Sequence, residues 1–231
     1  MSAGEFGQHD FDKLKKIFVD KPFQGQYPDK SKLLFVGQDA NYPKDISDEL
    51  FKYILEYHEN GVCFWKKYGI HHPFLLPKFK KEIGGIAYHK KFAKLRLGPK
   101  YAEHLSFVEL TDIPTYGNTG KGGLDKFSTL ITTRHITRLQ NWILNSGDKL
   151  VFVPRMVMSV YLSKVYKKTG LMKWLIDYDK KEGDGDEPIK LFALGGVIIY
   201  KYNHFSGAVS NKHIDKMSVI IRDYLSKIIA I

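Results

Sequence analysis

The run Lys32-Leu33-Leu34-Phe35-Val36 breaks off into Gly37-Gln38-Asp39-Ala40-Asn41-Tyr42-Pro43, and this junction constrains the chain more than any other stretch. Four successive apolar residues without polar alternation read as a strand covered on both faces, the habit of a parallel sheet flanked by helices. A glycine, an amide and an acid directly after it place polar chemistry at the carboxyl end of the strand, the edge where open α/β sheets bind ligands. A second junction of this kind stands where residues 197–202 run into Asn203-His204-Phe205-Ser206-Gly207. An active site is expected at that edge, its acid and its histidine brought together by the fold alone.

The rest of the chain alternates strand and helix signals. Strands are predicted over 32–37, 105–110 and 149–153. Residues 190–202 form either one long strand or a hairpin turning at Gly195-Gly196. Ser47 followed by Asp48 and Glu49 marks a helix start, and Asn60-Gly61 its end. Further helices are predicted over 86–97, ending at Gly98-Pro99, over 124–145 with Gly147 as terminator, over 155–168, and from Ser210 onward. A basic segment over 11–18 precedes the first strand, residues 111–123 read as a turn-rich loop, and residues 177–188 as an acidic one. The pattern predicts an α/β, three-layer αβα fold with a central, mostly parallel sheet of about four strands. The 231 residues, 43% hydrophobic, suit one domain spanning 1–231.

Composition narrows the chemistry. A lone cysteine, Cys63, excludes an internal disulfide, a four-cysteine zinc site and a cysteine-held iron-sulfur cluster. Neither an eighteen-residue apolar span nor a signal-peptide pattern is present, so an intracellular protein, cytoplasmic or nuclear, without a membrane partner is expected. The net charge of +11 points to a polyanion, although a merely lysine-rich surface is the plain alternative. Clusters such as Phe64-Trp65-Lys66-Lys67-Tyr68 and Tyr88-His89-Lys90-Lys91-Phe92 interleave cations with rings, as a surface that holds phosphates and stacks bases would. Other motifs fail. Gly117-Asn118-Thr119-Gly120-Lys121-Gly122-Gly123 lacks the leading glycine and the final Ser or Thr of a nucleotide phosphate loop, though Lys121 could still approach a nucleic-acid phosphate. His71-His72 cannot share one helical face as metal ligands, and Asp184 and Asp186 match no calcium loop. No cofactor and no metal are expected.

Taken in order, Gly37-Gln38-Asp39, Gly61-Val62-Cys63-Phe64-Trp65-Lys66, Phe107-Val108-Glu109 and His204-Phe205-Ser206-Gly207 resemble the motifs of the uracil-DNA glycosylase superfamily. The first and last look like the water-activating and histidine motifs of the classical uracil enzymes. Phe64-Trp65-Lys66 looks more like the mismatch-specific thymine and uracil branch. The resemblance implies a monofunctional DNA glycosylase that hydrolyses the bond between deoxyribose C1′ and uracil, or another deaminated or mismatched base, leaving an abasic site. Its partner would be single- or double-stranded DNA. Asp39 would orient water and stabilise the cationic sugar, and His204, as a neutral imidazole, would donate to the base oxygen. Gln38, Asn41, Phe64 and Glu109 would hold the extruded base, Phe64 by stacking on it. Ser206 and the backbone of Gly207 would pin a phosphate, with Lys121 beside them.

The departures carry their own expectations. Ala40 and Phe205 stand where these enzymes carry proline, and a predicted helix lengthens the spacing from Asp39 to Phe64. Glu109 occupies the place of an asparagine that both donates to and accepts from uracil. An ionised Glu109 only accepts, which suits a guanine-like edge; a protonated one regains a donor. Asp112 or Asn118 could read the base instead. Ala208 and Val209 follow the histidine motif where relatives have a bulky wedge, so weak opening of duplex DNA is expected. A non-catalytic nucleic-acid-binding module on the same fold is the alternative function, and an α/β enzyme acting on a small phosphorylated metabolite or nucleoside is a third.

Overall fold

The computed structural model of the chain describes residues 6–79, 86–119, 123–145, 147–179 and 186–228. In chain order these form β1 (Gly7–Gln8), α1 (Asp12–Asp20), β2 (Gln24–Gly25), β3 (Leu33–Gly37), β4 (Ala40–Asn41), α2 (Asp48–Glu59), α3 (Gly61–Tyr68) and α4 (Ile86–Ala93). There follow β5 (Leu105–Glu109), β6 (Pro114–Tyr116), α5 (Gly123–Leu130), α6 (Thr133–Leu144) and β7 (Lys149–Pro154). A π turn (Val157–Tyr161) leads into α7 (Leu162–Thr169), then α8 (Lys173–Asp177), β8 (Ile189–Leu194), β9 (Val197–Tyr202) and α9 (Asn211–Ile228).

The main sheet has the order β2-β5-β3-β7-β9-β8. Its inner four strands run parallel, and β2 and β8 close the edges antiparallel. The expected sheet of about four strands is thus the parallel core of a six-stranded one. Every residue of β3 is buried, as its unbroken apolar run requires. Leu34 and Val36 face a core shared with Phe127 of α5, Leu139 of α6 and Val165 of α7. Leu33 and Phe35 face the opposite core, with Phe92 of α4 and Ile214, Met217 and Ile221 of α9. Helices therefore cover both faces of the sheet.

One row of rings fixes the strand register. Phe107, Phe35, Phe152 and Tyr200 stand level on four adjacent parallel strands. Successive ring centroids are 5.6, 5.2 and 5.7 Å apart with nearly stacked planes. Such pairs add about 0.5–1.5 kcal/mol each beyond their buried area, and a slip of one strand by one residue would turn its ring out of the row to the other face.

Several helix boundaries differ from the sequence reading. The single helix expected over 124–145 is two, because Thr132 turns extended and caps α6, its side chain accepting the His135 amide. Asn60 ends α2 but also caps α3, its side chain taking the Cys63 amide at 3.0 Å, so Gly61 opens a helix. α4 stops at Ala93, with Arg96 at a φ of 55° shortly after. The basic segment 11–18 lies largely in α1. The alternative at Gly195-Gly196 resolves as a hairpin, with φ of 58° and 85° at the two glycines. Part of the acidic loop, with Asp184, lies outside the described residues. No described helix is long and apolar enough to cross a membrane.

Candidate active site

β3 is flanked by β5 on one side and β7 on the other, so the chain leaves its carboxyl end at a point where the strand order reverses. A cavity of about 430 Å³ opens there, lined from the ends of β3, β5 and β7 and from the loops after these strands and after β9. It is of a size that holds a small molecule or a single nucleotide moiety.

A second, three-stranded sheet, β1-β6-β4, knits the loops together. β4 follows β3 and β6 follows β5, and the two pair in parallel with Asn41 level with Thr115. The Tyr42 amide donates to the Thr115 carbonyl at 2.9 Å, and the His9 amide donates to the Pro114 carbonyl at 2.9 Å. Asp39 lies in the link between β3 and β4 and is held by this sheet. Its Oδ2 accepts from the buried Thr115 hydroxyl and, at 3.4 Å, from Asn41 Nδ2. Asn41 Nδ2 also donates to the Gly117 carbonyl at 2.7 Å. Gln38 Nε2 donates to Thr119 Oγ1 at 3.0 Å, and that hydroxyl meets Tyr161 OH at 2.7 Å.

Glu109 ends β5 level with Gly37. A Cβ at residue 37 would collide with the Glu109 carboxyl, so the glycine is what lets that carboxyl lie across the end of β3. Burial first, and then the nearby Asp39 carboxylate, push Glu109 up to about 8. Burial also raises Asp39, but the donors on it, Thr115 and Asn41, oppose that shift. With the donors on only one of the two carboxyls their roles divide: Asp39 gives up its proton first, and Glu109, raised further by that charge, keeps its own near neutral pH.

His204 enters from the end of β9. Its Nδ1 lies 2.5 Å from Ser206 Oγ and accepts the Ser206 amide at 3.4 Å. An amide only donates, so Nδ1 is the acceptor and Nε2 carries the hydrogen. Burial, and then the charge of Lys91, lower His204 to about 4, which leaves the ring neutral at pH 7. Lys91 in the last turn of α4 donates to the Gly207 carbonyl, and Lys94 Nζ donates to Asn211 Oδ1 at 3.0 Å, tying this loop to the helix.

The site residues expected from sequence divide clearly. Gln38, Asp39, Asn41, Glu109, His204, Ser206 and Gly207 all line the cavity. Phe64 does not: it is 1% exposed, packed among Tyr57, Tyr68 and Leu76, because the short helix α3 turns it inward. Ser206 and Gly207 stand at the exposed rim, but their amides are already engaged with His204, the Gly207 amide donating to the His204 carbonyl at 2.9 Å. They shape the histidine loop rather than offering free donors to a phosphate. Asp112 is held instead by Thr132 Oγ1 at 3.1 Å and by Arg138, whereas Asn118 lines the cavity with Glu109. Lys121 lies outside the described residues.

Residues that sequence reasoning missed complete the wall. Tyr88, whose ring centroid is 5.1 Å from that of His204, was visible only as part of a cation-and-ring cluster. His72 and His89 stack face to face at 3.6 Å and are kept neutral by burial. Among the described residues no group of three or more His, Cys, Asp or Glu is placed to hold a metal ion. Gln24 and Thr115 gave no local signal, since both reach the site through strand pairing.

Fold and site together define an α/β protein with a carboxyl pair and a neutral histidine converging on one cavity at the carboxyl edge of a parallel sheet. Comparison with protein-family models, with curated proteins and with solved structures finds no match.

Proposed function

We propose that the chain is a monofunctional DNA glycosylase that hydrolyses the N-glycosidic bond of uracil, or a related deaminated base, in DNA and leaves an abasic site. The observation that carries this reading is the meeting of Asp39, Glu109 and His204 in a single cavity. The resemblance of the motifs that hold these three residues supports it. Cleavage of the bond from C1′ to the base nitrogen builds positive charge on the sugar and negative charge on the leaving base. Asp39, charged and fixed by Thr115, stabilises the sugar cation and orients the water whose oxygen bonds to C1′. The electron pair of the broken bond leaves with the base, and the proton of the water passes to Asp39. His204 offers its Nε2 hydrogen to the base oxygen on which charge gathers, and a neutral imidazole does this without stabilising the ground state as a cation would.

A protonated Glu109 bears one O–H donor and one carbonyl acceptor, the same pair an amide side chain presents. It matches the O4 acceptor and N3–H donor of uracil, and this favours uracil over the guanine-like edge that a carboxylate would select. Tyr88, partly exposed in the cavity wall beside His204, takes the stacking role expected of Phe64. None of the described lining residues is a lysine, in keeping with hydrolysis without a Schiff base.

The test is base release from labelled single-stranded and duplex oligonucleotides carrying uracil, hypoxanthine, xanthine or a G:T mismatch. Uracil release by the wild type should fall by on the order of 10²–10³ in Asp39→Asn. Binding without release from any of these substrates would replace the enzyme by a non-catalytic nucleic-acid-binding module.

A further inference from the structure

The site as described lacks a side chain to fill the gap that an extruded base leaves in a duplex. After the histidine loop the chain offers only Ala208 and Val209, the first exposed and short, the second partly packed in the core. A neighbouring loop supplies a different candidate. β7 runs beside β9, and its carboxyl end brings Pro154, Met156 and Val157 to the same cavity. Met156 is 57% exposed. Of the large apolar side chains that stand out to solvent among the described residues, it alone lines this cavity.

Its setting is stiff. Met156 has helical backbone angles, φ −63° and ψ −37°, at the mouth of the π turn that follows. Val157, Met158 and Tyr161 after it are each no more than 3% exposed and belong to the core under the sheet. Tyr161 is tied through its hydroxyl to Thr119, and through Thr119 to Gln38 beside Asp39. An irregular turn that swings one residue outward while anchoring the next on the catalytic wall is a common device at functional sites.

We propose that Met156 is the wedge that enters duplex DNA and holds open the space of the flipped nucleotide. The inference rests on the glycosylase reading and adds its strand specificity. An unbranched thioether slides between bases and adapts to either neighbour, and apolar side chains of this kind are the ones that proteins insert at base steps. The weak duplex opening expected from Ala208 and Val209 is then replaced by opening from the β7 side.

Two readouts on the whole protein separate this proposal from the one beneath it. In the first, a duplex carries 2-aminopurine next to uracil, and its fluorescence reports loss of stacking on binding, with Asp39→Asn as background so that no base is released. Wild-type Met156 should raise the signal, Met156→Ala should lose most of the rise, and Met156→Leu should keep it. In the second, the ratio of uracil release from duplex to release from single strand should fall about tenfold or more in Met156→Ala, the unstacking of one base step being a matter of a few kcal/mol. Equal signals and equal ratios in wild type and Met156→Ala would overturn the wedge while leaving the glycosylase standing, as would no rise with the wild-type side chain. A Met156-dependent rise without base release from any substrate would uphold the wedge and remove the enzyme.

Discussion

Glu109 concentrates the chemistry of a single residue in a way that can be measured twice. Its folded value of about 8, against an ordinary 4.5, makes the protonated acid the form present at neutral pH. If that form reads the base, uracil release falls as pH rises through about 8, because the carboxylate loses the donor to O4. Glu109→Gln keeps a donor and an acceptor at every pH, so it should retain release at pH 7 and lose the alkaline fall, whereas Glu109→Ala should lose release throughout. The same shift carries a stability cost with a defined sign. The unfolded chain gives up this proton near 4.5 and the folded chain near 8, so folding loses stability as pH rises between those values and changes no further above them. At pH 7 that amounts to about 3 kcal/mol, and thermal unfolding should show Glu109→Gln gaining on the wild type from pH 4.5 toward pH 8. A constant difference across that range would mean that the carboxyl is not held protonated.

At the scale of elements, the row Phe107-Phe35-Phe152-Tyr200 sets β3 in place two residues before Gly37. Phe35→Ala leaves a hole in the middle of this row and should cost about 3–5 kcal/mol by denaturant unfolding; a loss below about 1 kcal/mol would mean that the sheet holds its register without the ring. The strand itself was plain in the sequence, since an apolar run this dense has few other fates, and α2 was plain because Ser47 does take the Leu50 amide, at 3.2 Å. The division between α5 and α6 was not plain, because both helices bury the same face and the apolar spacing continues across Thr132. Phe64 shows a further limit. The sequence signals end a helix at Asn60-Gly61 and show none around this ring, and only packing decides that it joins Tyr57 and that Tyr88 borders the cavity. Asp39, Glu109 and His204 were legible as polar residues ending apolar strands, whereas Thr115 became part of the site only through the pairing of β4 with β6.

For the whole molecule the distinctive quantity is charge, 36 basic residues against 25 acidic ones. Surface pairs such as Lys67 with Glu56 at 2.7 Å and Lys173 with Asp177 at 2.9 Å use some of the lysines, but each such exposed pair contributes little to stability. The excess is available to a polyanion. Binding of a uracil-bearing oligonucleotide should therefore weaken steeply with salt, log Kd rising with log salt by about 0.7 to 0.9 for each phosphate contacted; a flat dependence would point to a small neutral ligand instead. The order of the strands has one more result, which concerns the making of the protein. β3 emerges early yet lies at the centre of the sheet, so a growing chain that has reached residue 109 can cover only one of its edges, with the other bare until β7 has followed. The strand that delivers Asp39 is thus among the first synthesised yet stays half-covered until residue 154 has been made, and the edge that bears the cavity is complete only when residue 204 has joined it.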